Sequence, residues 1–207
     1  MNNKKLKTYS SKINNYLEII EKDHKKLLNT KNTNYSYGGL QDVLERGLSR
    51  IPMEEINSVL VLGMGGGCVV ESLRNKFNYH GKIIGIELDP VVIEISKNEF
   101  GISEDLKVEI IQDKAEDYIQ KTNHQFDLII VDVFIDIKVP ETIYSSTFWN
   151  NLEPRVSANG FVLFNAGIDL SEKQRRDFIE VIPNTFVYQK KLNVIISNTV
   201  FILQKVF

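Results

Sequence analysis

The sequence predicts an α/β protein whose main sheet is mostly parallel and ends in an antiparallel strand. From residue 57 onward, compact apolar segments alternate with helical patterns, which is typical of right-handed βαβ units. A glycine-rich turn joins the first of these segments to the helix that follows it. The last two β-type segments have no helix between them, so they can pair only as an antiparallel hairpin.

Length and composition restrict the function classes. The chain has 207 residues, enough for one domain or for one domain with a small extension. A content of 43% hydrophobic and 25% charged residues excludes disordered and fibrous classes. The net charge of −2 provides no excess of cations for a nucleic-acid partner. A single cysteine cannot form an internal disulfide, so a reducing compartment is expected.

The chain carries no predicted membrane segment. Its longest apolar runs are about four residues, whereas a membrane-spanning helix needs about 20. The N-terminus is positively charged but lacks an apolar stretch of signal-peptide length. We therefore expect a cytoplasmic protein that does not bind a membrane.

Residues 1–36 differ from the rest of the chain because they are rich in Lys and Asn. Segments 16–20 and 26–30 flank a polar turn and predict a β-hairpin, so we expect a hairpin extension at 1–36 and a main domain at 37–207. The hairpin would expose strand edges that a second copy can cover in a homodimer.

Each element of the main domain has its own local signal. Leu40, Val43, Leu44 and Leu48 lie at helical spacing, and Pro52 ends that helix. Asp89 and Pro90 open a later helix. The strands are predicted at 58–62, 82–87, 106–111, 127–131, 160–165, 186–192 and 198–205, and the other helices after Gly67 and at 115–119, 147–156 and 171–182.

The glycine turn and a later acid together predict a nucleotide site. Gly63, Gly65 and Gly67 stand between a strand and a helix, where the backbone can approach a ligand closely. Glu87 ends the next strand, and a carboxylate at that place can accept hydrogen bonds from a ribose diol. The alternative is a tight structural turn beside a solvated Glu.

Two further acidic residues indicate which kind of nucleotide the site would bind. Asp113 follows the third strand and Asp132 ends the fourth, so both lie at the carboxyl edge of the sheet, where ligands bind in open α/β folds. A dinucleotide fold would continue with another parallel βαβ unit, whereas this chain closes with a hairpin. An NAD-linked oxidoreductase is therefore disfavoured.

Five segments carry a resemblance to a known family: VLVLGMGGG, IIGIELDPVVIEISKNEF, VEIIQDKAEDYI, FDLIIVDVF and NLEPRVSANGFVLFN. In this order they resemble the Rossmann-like class I S-adenosylmethionine-dependent methyltransferase fold, and more narrowly its spermidine synthase-like branch. The resemblance covers residues 37–205. It implies a seven-stranded sheet with an antiparallel last strand, which binds S-adenosylmethionine or its decarboxylated form.

The resemblance also implies roles for individual residues. The glycines would approach the nucleoside and its sulfur-bearing tail, Glu87 would hold the ribose, and Asp113 would contact the adenine edge together with the backbone that follows it. Asp132 matches the acid that deprotonates the attacking amine in spermidine synthases. The implied cofactor-binding set is Gly63, Gly65, Gly67, Glu87, Asp113, Lys114 and Ala115.

The sequence departs from spermidine synthases on the acceptor side. Gly66 stands where they carry an Asp, and Leu40 stands where they carry a Tyr. Tyr37, Gln41 and Asp136 are the acceptor-side candidates that remain. These departures disfavour a polyamine, because a polycation needs several carboxylates and aromatic faces to replace its water.

The sequence therefore predicts an S-adenosylmethionine-dependent transferase that acts on a small acceptor by SN2 transfer, with Asp132 as the base. One alternative is a polyamine aminopropyltransferase that uses decarboxylated S-adenosylmethionine, and another is a nucleoside-binding module without catalysis. The three histidines lie in separate polar turns without ligand spacing, so no metal is expected.

Overall fold

A computed structural model describes residues 4–31, 34–103, 106–168, 170–191 and 198–206. Within these ranges the chain forms a small N-terminal sheet and a larger sheet flanked by helices. The end of the strand predicted at 186–192, at Leu192, lies outside the described residues.

The N-terminal sheet has four antiparallel strands in sequential order: β1 (Lys4–Ser11), β2 (Asn15–Lys22), β3 (Lys25–Thr30) and β4 (Asn34–Ser36). The predicted hairpin is confirmed as the β2–β3 pair, and β1 and β4, which were not predicted, extend it on either side. Most of β1 is exposed or only partly buried, so its sequence lacks the apolar alternation that marks a half-buried strand. A division into two folding units at residue 36 stays a prediction.

The main sheet confirms the predicted fold class. Its strands lie in the order β10-β11-β9-β8-β5-β6-β7, in which β11 is antiparallel to both of its neighbours and the other pairs are parallel. The order reverses between β5 and β8, which are adjacent in space although five other described elements separate them in sequence. The strands are β5 (Ser58–Leu62), β6 (Lys82–Glu87), β7 (Val108–Gln112), β8 (Phe126–Val131), β9 (Val156–Ile168), β10 (Phe186–Lys191) and β11 (Asn198–Lys205).

In the described part of the chain, six α-helices accompany the strands: α1 (Gly39–Leu48), α2 (Cys68–Asn75), α3 (Pro90–Phe100), α4 (Ala115–Lys121), α5 (Ser146–Leu152) and α6 (Glu172–Val181). Helix α5 is shorter than predicted because the chain passes into a 3-10 turn that contains Pro154. None of the described helices is both long and apolar enough to cross a membrane.

The strands of the main sheet are buried on both faces. Val59 and Val61 of β5 pack with α1 and α2, whereas Leu60 and Leu62 pack with α4, α5 and α6. This period-2 alternation places one apolar layer on each side of the sheet. On the second side Trp149 contacts Phe178 at a centroid distance of 5.2 Å, so it belongs to the core.

The N-terminal sheet packs on helix α3. Leu17, Ile19 and Leu28 form a buried cluster with Val92 and Ile95 of α3. Polar contacts at the end of the helix strengthen this packing, since the carboxylate of Glu99 accepts hydrogen bonds from Lys7, Lys26 and Tyr9. The packing brings the turn between β1 and β2 to the carboxyl edge of the main sheet.

Candidate functional site

The glycine turn joins β5 to α2 and is hydrogen-bonded to β6. The N–H groups of Gly63 and Met64 both donate to the carbonyl oxygen of Ile86, each at 2.9 Å. Gly63 has a φ of +80° and Gly67 a φ of +92°, a region that side chains disfavour. A Cβ at Gly63 would collide with the backbone of Asp132, so only glycine permits this close approach of β5 and β8.

Glu87 connects the glycine turn to helix α3. Its side chain ends β6 and is almost completely buried, at 4% exposure. One carboxylate oxygen accepts the N–H of Gly65 at 2.9 Å, and the other accepts the N–H of Asp89 at 2.9 Å. Burial raises the pKa of Glu87, and these N–H groups oppose the rise. Each oxygen keeps a further lone pair for a ligand hydroxyl.

The loop after β7 lies beside Glu87. The N–H of Asp113 donates to the backbone carbonyl of Glu87 at 3.2 Å, which aligns the two strand ends. The Asp113 carboxylate accepts the N–H of Lys114 at 2.9 Å and forms an ion pair with Lys121 at 3.1 Å. Helix α4 begins directly after this loop, at Ala115, so backbone polar groups are available next to Glu87.

Asp132 follows β8, at the point where the strand order of the sheet reverses. The side-chain amide of Asn165 on β9 donates to its Oδ1 at 2.8 Å. Burial raises the pKa of Asp132 to about 7; the charge of Glu87 adds to this rise, and the bond from Asn165 opposes it. The carboxylate is therefore able to exchange a proton near neutral pH.

Sequence reasoning missed Asn165. The residue is fully buried, and its Oδ1 accepts the N–H of Gly167 and the side-chain amide of Asn198, each at 3.2 Å. One signal was available, because Asn165 is the polar residue that ends the apolar segment GFVLF, beside the strand that Asp132 ends. A buried amide in a strand needs such partners.

These residues surround one cavity of about 570 Å³ at the carboxyl edge of the sheet. That volume suits a ligand of nucleoside size or larger. Most of the predicted site residues line this cavity, namely Gly63, Gly65, Glu87, Asp113, Lys114, Ala115, Asp132 and Asp136.

Three predicted site residues lie outside the cavity lining. Gly67 caps the start of α2, where a Cβ would collide with Ile102. The Tyr37 hydroxyl donates to the carbonyl of Gly66 at 3.3 Å, and burial raises the pKa of this phenol well above its usual value. Gln41 donates to the Ser72 hydroxyl on α2 at 3.0 Å. Tyr37 and Gln41 thus contact residues around the glycine turn and α2 and do not face the cavity.

Asp136 lines the cavity from the loop after β8. It has a φ of +55° within a tight turn that Ile135 and Lys138 close by backbone hydrogen bonds. Its Oδ1 accepts the hydroxyl of Thr30 at 2.7 Å, which links the N-terminal sheet to the loop. Ser36 at the end of β4 lines the cavity, so both sheets contribute to its walls.

The chain was compared with protein families and curated proteins. A model of the spermine/spermidine synthase domain matches residues 43–203. The polyamine aminopropyltransferase of Thermococcus onnurineus is 32% identical over 114 residues, which are 53% of this chain and 40% of that protein. The chain thus spans less than half the length of this relative.

Solved structures agree with the fold. A probable spermidine synthase from Corynebacterium glutamicum superposes with a TM-score of 0.75 at 17% identity and covers 97% of this chain and 79% of its own. Human methyltransferase-like protein 13, in complex with SAH, gives a TM-score of 0.66 at 18% identity and covers 83% of each chain. At such identities the likeness shows the class I methyltransferase-like fold alone. The family model, which matches most of the sequence, shows that the chain belongs to the spermine/spermidine synthase family.

Proposed function

We propose that the protein is an aminopropyltransferase, which transfers the aminopropyl group of decarboxylated S-adenosylmethionine to an amine. The observation that carries this proposal is the carboxylate of Asp132, which lines the cavity beside the glycine turn with a pKa of about 7. Aminopropyl transfer was the alternative interpretation of the sequence. The family model and the named relative favour it over methyl transfer.

The lining residues fit a nucleoside. Glu87 is held by two N–H groups with lone pairs left for the ribose hydroxyls. The backbone of Gly63 and Gly65 lines the cavity next to this carboxylate and would face the sulfur-bearing tail. The loop of Asp113 and Lys114 supplies donors and acceptors for the adenine edge.

The charges in the cavity favour the decarboxylated nucleoside. Among the described lining residues, Lys114 is the only Lys or Arg side chain, and it forms an ion pair with Glu116 at 3.3 Å. The carboxylate of S-adenosylmethionine would need a cation or several N–H donors when it leaves water. A decarboxylated tail carries only an ammonium, so it needs no cation from the cavity lining.

When bound, decarboxylated S-adenosylmethionine supplies an electrophilic carbon next to a sulfonium. The chain aligns the acceptor amine with that carbon, and Asp132 takes the proton that the amine must lose before it attacks. The new C–N bond forms as the C–S bond breaks, and methylthioadenosine leaves as a neutral thioether. Asn165 holds the Asp132 carboxylate in place during this step.

Release of methylthioadenosine tests the proposal. The purified protein is incubated with decarboxylated S-adenosylmethionine and a panel of primary amines, and the product is quantified by chromatography. We expect release that requires an amine and that Asp132→Asn abolishes. The matched control is Asp127→Asn, since Asp127 lies at the opposite end of β8 and accepts the N–H groups of Asn57 and Ser58.

Two outcomes would contradict the proposal. Formation of S-adenosylhomocysteine from S-adenosylmethionine and an acceptor would assign the chain to methyl transfer. Tight binding of methylthioadenosine without turnover of any amine would assign it to the class of nucleoside-binding modules.

A further inference from the structure

The cavity has an apolar half that the nucleoside does not need. Val133 and Phe134 follow Asp132 directly, and both line the cavity. Ile135 and Ile137 line it from the tight turn after β8, and Ile168 lines it from the end of β9. These five residues form what we call the apolar wall.

The apolar wall is unusually exposed to solvent. Ile135, Ile137 and Ile168 have exposed fractions of 49%, 44% and 50%. Among the described residues, six large hydrophobic side chains are exposed, and four of them line this cavity, the fourth being Leu88. Exposed apolar side chains concentrated at a cavity mouth are typical of a surface that binds an apolar group.

The lining carboxylates do not compensate for this apolar character. Asp113 is paired with Lys121 and Glu116 with Lys114, and both oxygens of Glu87 are bonded to N–H groups. Asp136 accepts the hydroxyl of Thr30. Asp132 lies beside the glycine turn and is the carboxylate placed to meet an acceptor ammonium, whereas Asp136 stands in the turn after β8 and is held there by the Thr30 hydroxyl.

We propose that the acceptor is a primary monoamine with an alkyl or aryl body, which lies on the apolar wall while its nitrogen meets Asp132. This inference rests on the proposed aminopropyl transfer. A diamine would place its second ammonium among aliphatic side chains beside a single carboxylate, that of Asp136, which already accepts the Thr30 hydroxyl, so the loss of hydration is compensated only in part. A methyl or phenyl group at the same place gains from leaving water.

The transfer itself is the same for such an amine. The nitrogen forms a bond to the terminal propyl carbon as the C–S bond breaks, and Asp132 receives the proton. The products are a secondary N-(3-aminopropyl) amine and methylthioadenosine.

The test compares two acceptors of the same length. Pentylamine and 1,4-diaminobutane have the same number of heavy atoms, and they differ in a terminal methyl against a terminal ammonium. We expect kcat/KM, measured by methylthioadenosine release with saturating decarboxylated S-adenosylmethionine, to be at least about tenfold higher for pentylamine. Equal or higher values for the diamine would overturn the inference while leaving aminopropyl transfer intact.

A variant of the apolar wall tests whether the wall determines the preference between the two amines. Ile137→Asp places a carboxylate at a half-exposed position and should reduce or reverse the preference for pentylamine. The control is Val187→Asp on β10, which is 58% exposed and does not line the cavity, and it should keep the preference of the unchanged protein. An unchanged preference in Ile137→Asp would show that the wall does not contact the acceptor. If neither amine is turned over, the proposed function fails and this inference fails with it.

Discussion

The side-chain amide of Asn165 donates a hydrogen bond of 2.8 Å to Oδ1 of Asp132, across the adjacent strands β9 and β8. This bond lowers the pKa of Asp132, whereas burial and the charge of Glu87 raise it. The resulting value of about 7 places the carboxylate near the ambient pH, which is favourable for a general base. The pair therefore connects the packing of the sheet to the proposed proton transfer.

Replacement of Asn165 should change the pH dependence of the reaction. In the unchanged protein, kcat/KM should rise up to about pH 7, as Asp132 ionises, and then level off. Asn165→Ala removes a hydrogen bond to the charged form of Asp132. The pH at which kcat/KM levels off should therefore rise by about one unit. A profile of kcat/KM against pH measures the shift. A lower kcat/KM with an unchanged pH dependence would indicate that Asn165 acts only in folding.

Removal of the Asp132 charge should stabilise the fold at alkaline pH. The pKa of Asp132 is raised from an ordinary 3.8 to about 7, so the folded protein holds the proton more tightly than the unfolded chain does. Stability is therefore lost as pH rises from about 4 to 7, and the full cost persists above pH 7. At pH 8, Asp132→Asn should raise Tm by about 2–4 °C, which corresponds to about 1 kcal/mol.

Thermal denaturation of Asp132→Asn at pH 8 and at pH 5 tests this pH dependence, since the gain should shrink at the lower pH. Asp127→Asn should bring no gain at either pH, because the Asp127 carboxylate accepts two backbone N–H groups. A lower Tm for Asp132→Asn at pH 8 would contradict the prediction.

The backbone at Gly65 can be tested against a matched glycine. Gly65 has a φ of +57° and Gly101 a φ of +69°, so an alanine should cost about 1–2 kcal/mol of stability at either position. Only Gly65 lines the cavity and donates its N–H to Glu87. We expect Gly65→Ala to weaken methylthioadenosine binding at least about tenfold by calorimetry, or about 1.4 kcal/mol.

Gly101→Ala should bind methylthioadenosine like the unchanged protein, since a Cβ there would meet no atom within 4 Å. Equal affinities for the two folded variants would show that the glycine turn does not contact the nucleoside.

Glu99 should stabilise the packing of the N-terminal sheet on α3 in a pH-dependent way. Hydrogen bonds from Lys7 and Lys26 hold its pKa at about 2, below the ordinary 4.5, so its contribution is present above about pH 4.5 and is lost as pH falls toward 2. Glu99→Gln should lower Tm at pH 7 and have a smaller effect at pH 3. Glu109→Gln is the control, since its ion pair with Lys82 is exposed and should contribute little.

The strands and the glycine turn could be predicted because their local signals agree with the fold. The apolar segment of β5, the glycines after it and the acid that ends β6 follow in an order that few folds share. Strand β1 lacks such a signal, since its polar side chains remain largely exposed and its partners come from pairing with β2. Pairing between strands is a tertiary effect, which the composition of one strand does not reveal.

The site could be predicted only in part for a similar reason. Positions tied to a strand end, such as Glu87 and Asp132, were placed by the topology, and the family resemblance implied the role of Asp132. Asn165 needs knowledge of strand register, because its amide reaches Asp132 only when β9 lies beside β8. Tyr37 was chosen for its place before the site and Gln41 by alignment with a family motif, but the direction of each side chain depends on tertiary packing, Tyr37 against the glycine turn and Gln41 against α2.

The turn between β1 and β2 also affects how the gene can be divided. The Ser11 hydroxyl and the Asn14 amide both donate to the carboxylate of Asp89, whose N–H holds Glu87, and Ile13 lines the cavity. A polypeptide that begins at residue 37 would contain all seven described strands of the main sheet yet lose the part of the cavity wall that Ile13 and Ser36 form. Shuffling of gene segments at this boundary would therefore separate two parts that must be inherited together to form the cavity.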